Sequence, residues 1–252
     1  MKNHPLNPGA CDAIEGMEGV AFRHTAPNPN TTSISKTTAI AAGAVAATGA
    51  VAVLVTMNDT ALFKKLLVDT DKLMEECANW AERKINQEQL GGKRLDAAEC
   101  NEKVGTDPDT GKPVTRAMQL GAEKHKEAFK CVEESLGKLI RGHYSIEQRY
   151  RYDRETGKLE LVSTDEEQQL LRQGRKRELK GTIQPDVVVH SGDPLMVRAV
   201  YDFKFPCIQG ALPTWSIYTK PPYQDLTQGE VYREAFKVTP ARVTPGKKVI
   251  RR

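Results

Sequence analysis

The sequence predicts an α+β protein in which a mixed sheet is flanked by helices. Apolar residues recur at helical spacing over two long stretches, from Thr60 to about Leu90 and from about Val114 to Ile140. Strand spacing replaces helical spacing further along, in His143–Tyr152 and again through Thr182–Phe205. One more helix is expected from about Tyr223 to Lys237. Long helices therefore precede the sheet, and a further helix closes the chain.

The amino-terminal part of the 252-residue chain differs in composition from the rest. Residues 1–36 are rich in Pro, Asn, Thr and Gly and are expected to be irregular or disordered. Residues 37–58 contain no charged side chain, and at about 1.5 Å per helical residue they are long enough to cross a bilayer. The alternative is a Gly/Ala-rich linker helix in a soluble protein. The net charge of +4 does not by itself indicate a nucleic-acid binder.

A helical region is predicted over residues 59–112, where Gly91–Gly92 ends the first long helix. The second long helix carries an inward stripe that includes His125. For this side chain a hydrogen-bonded core histidine and a metal ligand are both open. Glu123 and Glu127 fall on another face of the helix and are expected to be solvated. The stripe also contains Ala117, Met118, Gly121, Ala128, Val132, Leu136 and Leu139.

The five cysteines give no metal-binding pattern. Cys11, Cys77, Cys100, Cys131 and Cys207 form no CxxC pair, which argues against a zinc site. An odd count forbids complete pairing within one chain. Burial as small apolar side chains is the default, so no disulfide is predicted. Pairing among the three cysteines of the helical part stays open for a protein that works in an oxidising compartment.

Two strands and a polar helix are predicted between residues 143 and 180. The segment HYSIEQRYRY alternates well, and Asp153–Gly157 then turns the chain into the strand KLELVST. Residues 165–180 begin acidic and end basic, which is the charge order that a helix dipole favours. The basic end and the basic tail 246–252 are each either a phosphate track or solvated surface. The basic end contains Arg172, Arg175, Lys176 and Arg177.

The stretch Thr182–Phe205 indicates two strands joined by a turn at Ser191–Pro194. Side chains alternate along a strand, so Asp202 and Lys204 point to the same face. Antiparallel pairing would bring Asp186 close to Asp202. Two carboxylates that close repel unless a cation lies between them, and hard oxygen ligands suit Mg²⁺ or Mn²⁺.

These residues resemble the motifs of the PD-(D/E)xK nuclease superfamily. Pro185-Asp186, a gap of fifteen residues and Asp202-Phe203-Lys204 look like its signature, with Asp in place of the commoner Glu. Gly121-x-x-x-His125 on the preceding helix is similar to the first motif of the RecB-like branch. Gln228-x-x-x-Tyr232 on the closing helix is similar to its QxxxY motif, and Gln224 would share that helix face.

The resemblance implies a restriction-endonuclease-like core over residues 113–245 and one or two Mg²⁺ or Mn²⁺ ions. Lys204 would orient the attacking water or stabilise negative charge, while Gln228 and Tyr232 would position the substrate backbone or neighbouring ligands. Glu147 would lie near the ions, the alternative being an exposed acid beside two arginines. The implied metal ligands are Asp186, Asp202, the carbonyl group of Phe203, His125 and Glu147.

The function expected from this resemblance is metal-dependent hydrolysis of DNA. A charged enzyme with one apolar helix near its start also resembles effectors of bacterial type VI secretion and related polymorphic toxins. That likeness implies delivery into a target bacterial cell, action in its cytoplasm and a cognate immunity protein. It also implies a chaperone for the apolar helix, a secretion spike component and membrane contact through residues 37–58. The alternatives are a housekeeping or phage repair nuclease, and a catalytically dead nuclease fold that binds nucleic acid or a membrane.

Overall fold

The computed structural model describes residues 61–108 and 110–251. The predicted irregular segment 1–36 and the predicted apolar helix 37–58 lie outside these residues. Within the described ranges, no helix combines the length and the apolar character needed to cross a membrane. Where the chain is described it is an α+β protein with a mixed sheet and flanking helices, so the predicted class is confirmed.

Both long helices form where the apolar spacing predicts them. Helix α1 spans Ala61–Leu90 and helix α3 spans Arg116–Leu139, while the short helix α2, Ala97–Cys100, lies between them. The Thr115 hydroxyl caps α3 by accepting a hydrogen bond from the Met118 N–H group. A two-stranded sheet, not predicted, joins the helices: β1, Lys103–Thr106, pairs antiparallel with β2, Pro113–Thr115.

A five-stranded mixed sheet forms the centre of the fold. Its strand order is β10-β9-β8-β7-β3, in which β8 and β9 are parallel and all other neighbours are antiparallel. The predicted hairpin is therefore present as β7 and β8. The strands span Tyr144–Ile146 (β3), Val187–His190 (β7), Val197–Phe203 (β8), Ala241–Val243 (β9) and Ile250–Arg251 (β10).

A second sheet contains β4, Arg149–Asp153, between β5, Lys158–Val162, and β6, Thr182–Ile183. Here two predictions are wrong, because the continuous strands expected over 143–152 and 182–190 are each split between the two sheets. Glu147 adopts a left-handed backbone at φ 50°, and Pro185 lacks an N–H group for a sheet ladder. The two points at which the chain passes from one sheet to the other are hydrogen-bonded to each other: the Glu147 N–H group donates to the Asp186 carbonyl oxygen over 3.0 Å.

The polar segment after β5 is also shorter than predicted. Helix α4 spans Thr164–Arg172, and a single 3-10 turn over Lys176–Leu179 follows it instead of continuous helix to residue 180. The closing helix α5 spans Gln228–Phe236 and so starts five residues later than predicted. Thr227 and Glu230 form a capping box at its start. Gln224 therefore lies outside the helix.

The two faces of the central sheet are covered by different elements. Val187, Tyr201 and Phe203 pack with α1 and α3 in the larger core cluster. Val188 and Val200 project to the opposite face, where they pack with α5 and the second sheet. Residues 202 and 204 alternate with the first set and fall on the same face as Val200, so their side chains point towards α5.

Four cysteines form two disulfides, so the prediction of none is wrong. Cys77 of α1 bonds to Cys131 of α3, and Cys100 of α2 bonds to Cys207 in the loop after β8. The paired Cα atoms lie 5.5 and 6.0 Å apart, within the range that a disulfide spans. The partners are 54 and 107 residues apart in the sequence, and spacing alone does not reveal such pairs.

Two expectations about charged groups also change. Glu127 is buried rather than solvated, because its carboxylate lies 2.7 Å from the Lys84 ammonium and 2.5 Å from that of Lys130. Glu123 is partly exposed. The basic tail ends in strand β10, where the Arg251 guanidinium binds the Asp71 carboxylate and the Tyr201 hydroxyl.

His190 should make folding sensitive to acid. It is 3 % exposed, its Nδ1 atom accepts from the Gly192 N–H group at 3.2 Å, and its Nε2 atom lies 3.1 Å from the Ser145 hydroxyl. Burial lowers the pKa of His190 to about 4, from about 6.5 in the unfolded chain. The unfolded chain therefore binds more protons between these pH values, and stability falls as pH falls through this window.

We expect the free energy of unfolding to drop by about 3 kcal/mol between pH 7 and pH 4 through this group. Urea denaturation at several pH values measures the drop, and in His190→Gln the curve should be flatter by that amount. Comparison with the variant removes the contribution of every other titrating group. Parallel curves for the two proteins would contradict the assignment.

Candidate active site

Asp186 and Asp202 lie side by side on neighbouring strands. Val187 pairs with Tyr201 in the antiparallel register of β7 and β8, which sets Asp186 opposite Asp202. The Asp186 Oδ2 atom accepts a hydrogen bond from the Phe203 N–H group over 2.6 Å. The two carboxyl groups are close enough for the charge of Asp186 to raise the pKa of Asp202. Asp202 contacts α5 through Gln228, whereas Asp186 contacts α3 through His125.

Lys204, Gln228 and Tyr232 extend this pair into a chain of hydrogen bonds. The Lys204 Nζ atom lies 2.7 Å from Asp202 Oδ1 and donates to Gln228 Oε1 over 2.7 Å. The Gln228 Nε2 group donates to Asp202 Oδ2 over 3.1 Å and to the Tyr232 hydroxyl over 2.9 Å. Because an ammonium group only donates, Lys204 fixes which way the Gln228 amide faces. Gln228 thus contacts both the acid and the amine of the DxK pattern, and Tyr232 contacts Gln228.

The pKa of Asp202 reflects both its burial and the charges around it. Burial raises the pKa of Asp202, the ammonium of Lys204 opposes that rise, and the carboxylate of Asp186 adds to it, giving a pKa of about 6. Asp202 is 3 % exposed, so water screens this repulsion little. A cation placed between the two carboxylates would relieve the repulsion.

His125 contacts the same group of atoms from helix α3. Its Nε2 atom lies 3.0 Å from the Phe203 carbonyl oxygen and 3.3 Å from Asp186 Oδ2, and its Nδ1 atom lies 2.9 Å from the Gly121 carbonyl oxygen. Carbonyl oxygens only accept hydrogen bonds, so both ring nitrogens carry protons in this arrangement. Although burial opposes the charge, Asp186 and the Gly121 carbonyl raise the pKa of His125 to about 9. Direct metal binding by His125 would require loss of the Nε2 proton.

Glu147 occupies the strained position where the two sheets meet. Its carbonyl oxygen accepts from the Gln184 side chain over 2.7 Å, and the residue as a whole is exposed. Its carboxyl group nevertheless faces the protein, and the resulting desolvation, together with repulsion by Asp186, raises the pKa of Glu147 to about 7. Arg149 directs its guanidinium to Glu167, Thr182 and Gln184, and Arg151 directs its own to Glu166. The roles of Glu147 as a metal ligand and as an exposed acid both stay predictions.

The donor atoms suit a hard divalent cation. Two carboxylates, those of Asp186 and Asp202, and one backbone carbonyl, that of Phe203, present oxygen atoms of the kind that Mg²⁺ and Mn²⁺ bind. In the described part of the chain, no three His, Cys, Asp or Glu side chains converge into a preformed metal cluster. The residues therefore fit an ion that is held by two side chains and a carbonyl oxygen and completes its coordination with water or phosphate oxygens.

The predicted phosphate-binding cluster lies at the end of α4 and in the 3-10 turn. The guanidinium of Arg175 forms a two-point contact with Glu178, and Arg172 donates to Gln168 over 3.4 Å. Arg172, Arg175 and Arg177 are exposed. Their role in binding phosphate stays a prediction.

Three residues near the site escaped the sequence analysis. The Trp215 ring lies 5.6 Å from Lys204 Nζ, measured to the ring centroid, and 6.1 Å from the Tyr232 ring. A Cβ atom at Gly229 would lie only 2.6 Å from the Trp215 indole, so the glycine is what allows this close approach. Arg242 of β9 pairs in register with Asp202. Of these three residues only Arg242 has a signal in the sequence, because the triplet Ala241-Arg242-Val243 alternates between apolar and polar side chains as a strand does.

A comparison of the chain with protein-family models, with curated proteins and with solved structures finds no match.

Proposed function

We propose that this protein is a metal-dependent deoxyribonuclease with a restriction-endonuclease-like core of the PD-(D/E)xK type. The observation that carries the proposal is the strand pairing that sets Asp186 opposite Asp202, with Lys204 hydrogen-bonded to Asp202 and Gln228. A solvated pair of acids has no need of a half-buried amine beside one acid, or of a glutamine that contacts both that acid and the amine. The order of these motifs along the chain gives further support.

In the proposed site Asp186, Asp202 and the Phe203 carbonyl hold one or two Mg²⁺ or Mn²⁺ ions. A bound ion of this kind polarises a phosphodiester and lowers the pKa of bound water. Lys204 presents a positive charge 2.7 Å from Asp202, where it stabilises negative charge that develops on the phosphate. Gln228 holds that ammonium in place through its Oε1 atom, and Tyr232 fixes the other end of the amide.

The biological role that we propose is that of a secreted antibacterial toxin of the type VI effector kind, delivered into a target cell and acting in its cytoplasm. Two disulfides favour an exported protein over a cytosolic repair nuclease, because stable disulfides are rare in the cytosol. In this role a cognate immunity protein protects the producing cell. A chaperone and a secretion spike component handle the apolar segment 37–58, which contacts the target membrane.

Cleavage of supercoiled plasmid DNA tests the enzymatic proposal. Purified protein should nick or degrade the plasmid with Mg²⁺ or Mn²⁺ and stop when the metal is chelated. Asp186→Asn should lower the rate by at least about 10³-fold, because it removes one of two carboxylate ligands. Asp193→Asn is the matched control, since Asp193 lies exposed in the turn at the other end of the same hairpin.

Equal activity in Asp186→Asn and Asp193→Asn would refute the site assignment. No cleavage by the wild type under any metal condition would refute the enzymatic proposal. Expression of the same three proteins in the bacterial cytoplasm separates the two enzymatic roles. If the protein is a toxin, the wild type and Asp193→Asn should lower viability and fragment the chromosome, and Asp186→Asn should not. If it is a repair nuclease, all three proteins should be harmless.

A further inference from the structure

A cleft of about 260 Å³ lies between strand β9, strand β10 and the loop after β8. Its volume is below that of typical small-molecule pockets, about 300–1,000 Å³. It therefore has room for one small group rather than for a long stretch of polymer. The cleft is lined by Leu212, Pro213, Thr214, Arg242, Thr244 and Ile250.

The register of the sheet puts Arg242 in the same row as the two acids. Strand β9 runs parallel to β8, and Arg242 is the partner of Asp202. The neighbours of Arg242 along β9, Ala241 and Val243, pack into the larger core with Tyr201 and Phe203, so Arg242 projects to the opposite face. Asp186, Asp202 and Arg242 therefore lie in one row across three neighbouring strands. Because adjacent strands are about 4.8 Å apart, this row extends over two strand spacings.

The loop after β8 holds the guanidinium of Arg242 in one orientation. Its Nη1 group donates to the Pro213 carbonyl oxygen over 2.5 Å, and its Cζ atom lies 5.7 Å from the centroid of the Trp215 ring. The same indole lies 5.6 Å from the Lys204 ammonium. One aromatic side chain thus contacts both a cation of the proposed active site and the cation of the cleft.

We propose that this cleft binds the nucleotide next to the scissile phosphate. The Arg242 guanidinium takes the flanking phosphate, since its planar fork suits two phosphate oxygens. The apolar walls, which include Leu212 at 66 % exposure, take the sugar or base of that nucleotide. Successive phosphates of a DNA strand rise ~3.4 Å along the helix axis and lie farther apart than this through space, because they also step around the axis; a neighbour of the scissile group therefore falls within one or two strand spacings of Asp202. The inference rests on the proposed function, because the scissile phosphate is placed at Asp186 and Asp202.

Two substrates separate a flanking-phosphate contact from a structural role. A single-stranded oligodeoxynucleotide has phosphates on both sides of the cleaved bond, whereas the p-nitrophenyl ester of thymidine 5′-monophosphate has one phosphodiester and no flanking phosphate. In Arg242→Gln, kcat/KM for the oligonucleotide should fall about 10- to 100-fold, mainly through KM. Hydrolysis of the small ester should stay within about threefold of wild type.

One control variant and one additional test variant complete the experiment. Arg154→Gln removes an arginine that is paired with Glu234 away from the site, and both substrates should be cleaved as by the wild type. Leu212→Glu places a negative charge at the exposed wall of the cleft, and it should weaken oligonucleotide cleavage alone. This second variant keeps the proposal testable if Arg242→Gln fails to fold, which circular dichroism detects.

Equal losses on both substrates in Arg242→Gln and Leu212→Glu, or no loss on either, would overturn the inference. If the wild type cleaves neither substrate, the proposed function fails, and binding of the fluorescently labelled oligonucleotide in Ca²⁺ decides the question of the cleft. Weaker binding by Arg242→Gln, with the slope of log binding constant against log salt concentration reduced by about 0.7, would show that the cleft binds a phosphate even in a protein without nuclease activity. Unchanged binding, or none by the wild type, would overturn it.

Discussion

Replacing Lys204 with methionine should lower the rate of metal-dependent DNA cleavage by about 10³-fold and destabilise the fold as well. The loss of rate follows because the variant lacks the positive charge beside the reacting phosphate. The loss of stability follows because Asp202, with its side chain 4 % exposed, would lose the ammonium that now lies 2.7 Å away and would have to hold an unpaired buried charge or take up a proton. Removing one partner of a buried ion pair costs about 3 kcal/mol. Plasmid cleavage and urea denaturation measure the two effects.

The double variant Lys204→Met/Asp202→Asn should separate these two effects. With both charges absent, most of the lost free energy of unfolding should return, since no buried charge is left unpaired. The rate of DNA cleavage should not recover, because the double variant also lacks a metal-binding carboxylate. If the double variant is as unstable as Lys204→Met, the ion pair is not the cause of the destabilisation. If Lys204→Met cleaves DNA at the wild-type rate, Lys204 has no role in the chemistry.

Loss of either disulfide should cost about 3–4 kcal/mol of unfolding free energy. The bonds close chain segments of 54 and 107 residues, and long closed segments restrict the unfolded chain most. Cys77→Ala/Cys131→Ala and Cys100→Ser/Cys207→Ser each test one bond by urea denaturation under oxidising conditions. Dithiothreitol serves as the control, because the wild type and both variants should converge when the remaining bonds are reduced. Wild-type stability that is equal with and without the reductant would contradict the prediction.

Elements with local signals could be predicted from the sequence. The spans of α1 and α3 follow from apolar residues at helical spacing and from glycines or a threonine cap at their ends. The hairpin of β7 and β8 follows from its turn, and alternation along β8 places Asp202 and Lys204 on one face. Within the candidate site, the residues that stand in short motifs were therefore found.

Features that depend on contacts between distant residues could not be predicted. The break at Glu147 is set by Asp186, some forty residues away, and the partners of Cys77 and Cys100 are set by packing. Arg242 comes to lie next to the candidate site only because β9 pairs parallel with β8. The late start of α5 is the exception, since Thr227 and Glu230 have the spacing of a capping box and a closer reading of the sequence could have found it.

The glutamine that contacts Lys204 has a consequence for how the protein meets its substrate. A free lysine side chain samples many rotamers, and freezing them costs about 2 kcal/mol. Here Asp202 and Gln228 immobilise the ammonium when the chain folds, so the entropic cost is met in folding. If the protein is the nuclease that we propose, a DNA strand would therefore meet a charge that is already held in place for the transition state.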